Sequence, residues 1–148
     1  MKNILIIVTD LGRLNAYRMD KTQKGTPHFE PVADILLVEA HRRFEDVVTD
    51  MAGRHSGSTQ KHWGAPIADD HNLRLETERR LVKAIAQHVE KLVQEYGSEG
   101  VWFAAHKEIN HQVLDELPQT VRGSIQKNLP LDLTKAEPKE LFAQFLHA

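Results

Sequence analysis

Five consecutive residues near the start of the chain, Ile4-Leu5-Ile6-Ile7-Val8, are all β-branched or leucine. Neighbouring side chains on a strand point to opposite faces, so a strand with this sequence has to be buried on both. Val101-Trp102-Phe103-Ala104-Ala105 makes the same demand later in the chain. The sheet therefore needs cover on both faces, and the clearest source of cover is a long helix. Leu81, Val82, Ile85, Val89, Leu92, Val93 and Tyr96 recur at helical spacing as one apolar stripe. Asp69, Asp70 and Asn72 are the expected N-caps, and Gly97 stands where a C-terminal glycine belongs. Glu76, Glu78, Arg79, Arg80, Lys83, Glu90 and Lys91 form the solvated face of that helix.

The remaining elements follow from local punctuation. Asp10-Leu11-Gly12-Arg13 supplies turn chemistry, with Gly12 free to take positive φ, and Leu14 to Met19 returns as the second arm of a hairpin. Lys21 to Pro31 contains Gly25, Pro27 and Pro31 and reads as irregular. Ile35 to Val38, or on to Ala40, is then the third strand. Lys107 to Leu117 suits a helix halted near Pro118, and Val121 to Leu129 a second, shorter one. Leu131 and Leu133 alternate around Asp132 as a last brief strand, and Pro138 opens a helix through Leu141, Phe142, Phe145 and Leu146. The expected order is βββαβαβα in a single domain over residues 1–148: an α/β fold with a mixed five-stranded sheet and helices packed on it.

Size and charge narrow the function classes. At 148 residues a chain buries about 70% of its unfolded surface and can hold a core without metal or disulfide staples. A net charge of −2 provides no global field for nucleic acid or anionic lipid, so such contacts need a local basic patch. The absence of cysteine excludes disulfides, thiolate zinc sites and a cysteine nucleophile. The first apolar run is too short for a signal peptide, and no segment approaches the ~20 apolar residues of a membrane span. The expectation is a cytoplasmic protein without membrane contact. Nothing in the sequence encodes an oligomeric state.

The stretch Thr49 to His71, TDMAGRHSGSTQKHWGAPIADDH, has neither helical nor strand periodicity. Long segments of that kind in compact domains are usually functional loops or disordered inserts. Three kinds of chemistry bear on it and its neighbours. A two-metal nuclease site needs about four carboxylates. Asp10, ending the first strand, stands where one belongs, but the fourth strand ends in Ala105-His106 rather than an acid. Asp10 and His106 remain the catalytic candidates. His55, His62 and His71, with Asp69 or Asp70, are metal ligands by type, yet their spacing matches no metal pattern. His106 and His111 lack the i, i+4 spacing of a zincin helix. No cofactor is expected. Arg13, Arg54, Lys61 and Lys107 converge on the same sheet edge, beside the positive end of the long helix. Gly53 admits close backbone approach to a phosphate, and Trp63 offers a plane for stacking a base of single-stranded RNA. The plainer alternative packs Trp63 as a lid and leaves the basic residues solvated. Ser56 and Ser58 lie in no nucleophile elbow.

Four segments carry a family resemblance: Val48-Thr49-Asp50-Met51-Ala52-Gly53-Arg54, the helix through Ala84 to Leu92, the strand Val101 to Ala105, and Leu131-Asp132-Leu133-Thr134. Over nearly its whole length the chain resembles a bacterial family named for a requirement in attachment to host cells. That family is similar in turn to the middle domain of eukaryotic and archaeal peptide-chain release factors. The resemblance implies a ribonuclease H-like fold, with the first and fourth strands adjacent and parallel, and a partner in the ribosome, tRNA or other RNA. Three departures matter. There is no Gly-Gly-Gln tripeptide, so peptidyl-tRNA hydrolysis by that route is not implied. Ala105-His106 replaces a frequent proline pair, and Ala52 replaces a frequent proline before the glycine. The resulting expectation is a non-catalytic or weakly catalytic binding domain that contacts RNA or the translation apparatus. Arg13, Asp50, Gly53, Arg54, Trp63 and Lys107 would form its surface. The alternative is a hydrolase or nuclease around Asp10 and His106.

Overall fold

The computed structural model describes residues 3–21, 23–37, 66–96 and 99–147. Its elements in chain order are β1 (Ile4–Thr9), β2 (Arg13–Lys21), β3 (Pro27–Leu36), α1 (Pro66–Tyr96), β4 (Val101–Ala105), α2 (Lys107–Glu116), α3 (Gln119–Ser124), β5 (Ile125–Leu129) and α4 (Pro138–Leu146). The five strands form one mixed sheet in the order β3-β2-β1-β4-β5. β1 lies at the centre, antiparallel to β2 and parallel to β4. β2 and β3 are antiparallel, and β4 and β5 are parallel.

The two apolar runs behave as their composition requires: every residue of β1 and β4 is buried. Alternation then divides their side chains between two cores. Leu5, Ile7, Val101, Phe103 and Ala105 face α1, α2 and α3, where Leu81, Ile85, Val89, Ile109, Val113 and Val121 meet them. Ile4, Ile6, Val8, Trp102 and Ala104 face Leu141 and Phe145 of α4. Each fully buried aliphatic or aromatic side chain contributes about 1.5–3 kcal/mol relative to exposure in water. The expected stripe on α1 is the buried one from Leu81 to Leu92, with Val93 and Tyr96 packed at its margin. Glu76, Arg79, Arg80, Lys83 and Lys91 are exposed, as a solvated face requires.

Several boundaries differ from the sequence expectations, each for a physical reason. β3 runs from Pro27 through Pro31 rather than starting at Ile35. Proline is tolerated there because β3 is an edge strand, and the register shift between Ala16 and Tyr17 absorbs one residue beside Pro31. The positions proposed for extending that strand, 38–40, lie outside the described residues. α1 already begins at Pro66, so Asp69, Asp70 and Asn72 are inside the helix and do not cap it. Proline in a first turn costs no hydrogen bond. Gly97 lies outside the described residues.

The segment expected as one helix from Val121 to Leu129 divides into α3 and β5. Ile125 to Leu129 alternates between half-buried and exposed side chains, which is the period of a strand. Leu131 to Leu133, expected as the last strand, is irregular and precedes α4. Among the described residues the element order is therefore βββαβααβα, with two helices between β4 and β5. Positive φ occurs among the described glycines at Gly25 and Gly100, and Gly12 makes its turn without it.

Candidate functional site

β1 and β4 end side by side, with Thr9 in register with Ala105. Chain direction changes there, because β1 turns back into β2 while β4 continues into α2. Open α/β sheets place their ligand crevices at the carboxyl ends of strands at such points. A cavity of about 360 Å³ opens at this edge, lined by Asp10, Leu11, Gly12, His106, Glu108 and Ile109.

Asp10 is held by the turn that follows it. Its Oδ1 accepts the backbone N–H of Gly12 at 2.7 Å and that of Arg13 at 2.8 Å. The side chain thereby closes an Asx-type turn, which is why a short acid suits the position. Beneath it, the Thr9 hydroxyl lies 2.9 Å from the carbonyl of Asp10 and 3.0 Å from that of Arg13, sharing its one proton between them. Leu37 donates its N–H to the carbonyl of Gly12 at 3.0 Å, tying the residue after β3 to the same turn.

His106 has a comparable task on the other wall. It is the N-cap of α2, and its Nδ1 accepts the N–H of Glu108 at 3.2 Å. An accepting Nδ1 puts the neutral ring's proton on Nε2, which is left as a donor. Its carbonyl accepts from Ile109 and Asn110, both at 2.9 Å. Lys107 and Glu108 follow as exposed residues of the first turn.

Sequence reasoning singled out two walls of this cleft, Asp10 and His106, and missed the residue that meets Asp10 from outside the lining. Thr134 is buried, and its hydroxyl lies 2.7 Å from Asp132 Oδ1 and 3.2 Å from Asp10 Oδ2. The Thr134 N–H also donates to Asp132 Oδ1, at 3.1 Å. Its carbonyl accepts from the amide of Asn15, itself buried on β2, at 3.1 Å. The local signal was present in Asp132-x-Thr134, a pattern that folds a loop back on its own backbone. The partners of that loop were not visible, since Asp10 is 124 positions away.

The basic surface is only partly assembled among the described residues. Arg13 gives its backbone to Asp10 but turns its guanidinium to Asp34, with Nε 3.7 Å from Oδ1. Lys107 stands at the rim, at the start of α2. Asp50, Gly53, Arg54, Lys61 and Trp63 lie outside the described residues, as do His55 and His62. His71 falls within α1 rather than in a loop. Among the described residues no group of three or more His, Cys, Asp or Glu side chains is arranged to hold a metal ion. Among the same residues no helix is long and apolar enough to cross a membrane.

No curated protein matches the chain. Residues 5–144 match the model of a family described as protein required for attachment to host cells, and the chain belongs to that family.

Proposed function

We propose that this domain binds a ligand at the cleft between β1 and β4 without transforming it, and that the ligand is single-stranded RNA, free or within the translation apparatus. The observation that carries the binding reading is the employment of both candidate catalytic side chains. Asp10 Oδ1 already accepts two backbone N–H groups, and His106 Nδ1 already caps α2. Residues committed to the shape of a cleft are poor proton carriers and good walls. RNA is favoured by what the family resemblance implies, a ribonuclease H-like fold similar to release-factor middle domains. It is also favoured by the chemistry of the rim: carboxylates inside accept from base amino groups, and Lys107 outside meets phosphate.

Co-sedimentation with ribosomes and binding of labelled single-stranded RNA at low salt test the reading. Lys107→Ala should weaken RNA binding about equally across sequences and reduce the salt slope by about one. Absence of both ribosome and RNA association at low salt sinks the proposal. On this reading the protein acts in the cytoplasm and its part in host attachment is indirect; fractionation to the cell exterior would reverse that.

One observation favours a second reading, a hydrolase or nuclease: Asp10 and His106 line the same cavity. RNA or ester cleavage abolished in His106→Ala, with the fold intact, would establish it in place of simple binding.

A further inference from the structure

Asp10 stands where the two layers of the molecule meet. Its turn borders the cleft on the side of α2, where Leu11 and Ile109 belong to the core shared with α1. Its second oxygen meets Thr134, in the segment leading to α4, and that segment packs Leu133 and Ala136 into the opposite core. Among the described residues, Asp10 Oδ2 receives one hydrogen-bond donor, the Thr134 hydroxyl. Thr134 is in turn fixed at every polar atom: its N–H and hydroxyl reach Asp132, and its carbonyl holds Asn15.

We infer that Thr134 is the positioning residue of the cleft: it orients the Asp10 carboxylate from behind, so that the Gly12–Arg13 wall and the segment before α4 open and close together. The hydroxyl's single proton is divided between two carboxylates, at 2.7 Å to Asp132 and 3.2 Å to Asp10. That makes the link to Asp10 weaker than a full charged hydrogen bond, yet among the described residues it is the only hydrogen bond to Oδ2. Rotation of the carboxylate about its bond to Cβ would break the two short bonds from Gly12 and Arg13 at once. Asn15 adds a second tether from β2 to the Thr134 carbonyl, so the coupling does not rest on the hydroxyl alone. The inference rests on the cleft being the binding site proposed above, and its test separates the two.

Amide hydrogen exchange of the full chain reads the link directly at Gly12 and Arg13. Thr134→Val preserves side-chain shape and removes the donor; exchange at those two amides should quicken about fivefold, the order expected for one ordinary hydrogen bond. Thr134→Ser restores the donor and should return both amides to within about twofold of the wild-type rate, which loss of packing alone would not allow. Affinity for a labelled single-stranded RNA of about twelve nucleotides should fall with Val and recover with Ser. Unchanged exchange at Gly12 and Arg13 in the valine variant overturns the inference, whatever happens to RNA. A wild-type chain that binds no RNA overturns the proposed function, while the exchange comparison still decides the role of Thr134. Should the valine variant fail to fold, the wild-type protein in rising denaturant suffices: Thr134, Gly12 and Arg13 amides that open with one common slope support the coupling, and separate slopes refute it.

Discussion

Asp10 and Tyr17 show how much a single side chain does at the edge of this sheet. Asp10 Oδ1 gathers the N–H groups of Gly12 and Arg13, so Asp10→Ala should cost about 1–2 kcal/mol, the penalty of unpaired turn donors. Asp10→Asn keeps the accepting oxygen and should stay within about 0.5 kcal/mol of wild type in urea unfolding. Equal losses for the two variants would remove the turn from the role given to it. Tyr17 ionises above the ordinary tyrosine range, first because it is partly buried and second because the Asp34 carboxylate lies near. Below the ordinary value, about 10, the phenol is neutral in both folded and unfolded chains and its contribution is complete. As pH rises past that value the unfolded chain loses its proton first, so stability falls until the folded value is passed. Tyr17→Phe should therefore flatten part of the alkaline decline in melting temperature. Asp34→Asn should move the phenolate absorbance transition of Tyr17 only part of the way down, since burial is the larger cause. Asp10 was legible in the sequence because strand, Asp and Gly in succession spell a turn; the Tyr17–Asp34 pairing was not, because a register shift between Ala16 and Tyr17 sets which residues of β3 lie near it.

At the scale of elements, β5 explains both what local pattern can predict and what it cannot. Its residues Ile125-Gln126-Lys127-Asn128-Leu129 contain only two apolar side chains, too few to separate a short helix from a strand. Neighbours decide the matter. On one face Asn128 exchanges amide hydrogen bonds with Asn110 of α2, at 2.7 and 2.9 Å. On the other face Lys127 donates to the carbonyl of Phe145 at 2.8 Å, at the C-terminal end of α4, and lies 4.9 Å from the centre of the Trp102 ring. A cation there adds a donor to a carbonyl of the last turn and complements the helix dipole. By contrast, β1, β4 and the stripe on α1 were legible because their apolar pattern alone specifies burial. The amide pair gives a quantitative expectation. Asn110 is buried, so Asn128→Ala leaves its oxygen without that donor and should cost about 1–2 kcal/mol. Asn110→Ala should cost more, since it also abandons the carbonyl of Leu129. In a double-mutant cycle the combined variant should lose less than the sum of the two, with a coupling of about 1 kcal/mol. Strict additivity would mean the pair contributes shape without a joint hydrogen bond.

For the molecule as a whole, topology decides which distant residues share a site. Placing β4 beside β1 joins Asp10 to His106, and running the chain back to the same edge before α4 adds Thr134. The first pairing can be read from two strand ends; the last depends on the path after β5, where the expected strand at Leu131 to Leu133 proves to be a loop. The same topology divides cover unequally. Among the described residues, α1, α2 and α3 shield one face of the sheet and α4 shields the other. Phe145 is fully buried in that second core, 5.4 Å from the Trp102 ring, and Phe142 stacks on the same indole at 6.1 Å. Truncating a buried phenylalanine costs about 3–5 kcal/mol because the transfer energy is lost and a cavity remains. Domains of this kind hold about 5–15 kcal/mol in total, so Phe145→Ala should remove a large share of it. Leu146, the next residue on the same helix, is 53% exposed, and Leu146→Ala should stay within about 0.5 kcal/mol of wild type. Urea unfolding followed by tryptophan fluorescence compares the two directly, since Trp102 reports on the packing of α4. Equal midpoints for the two variants would show that α4 does not seal the second face, and β1 and β4 would then owe the burial of Ile6 and Trp102 to some other cover.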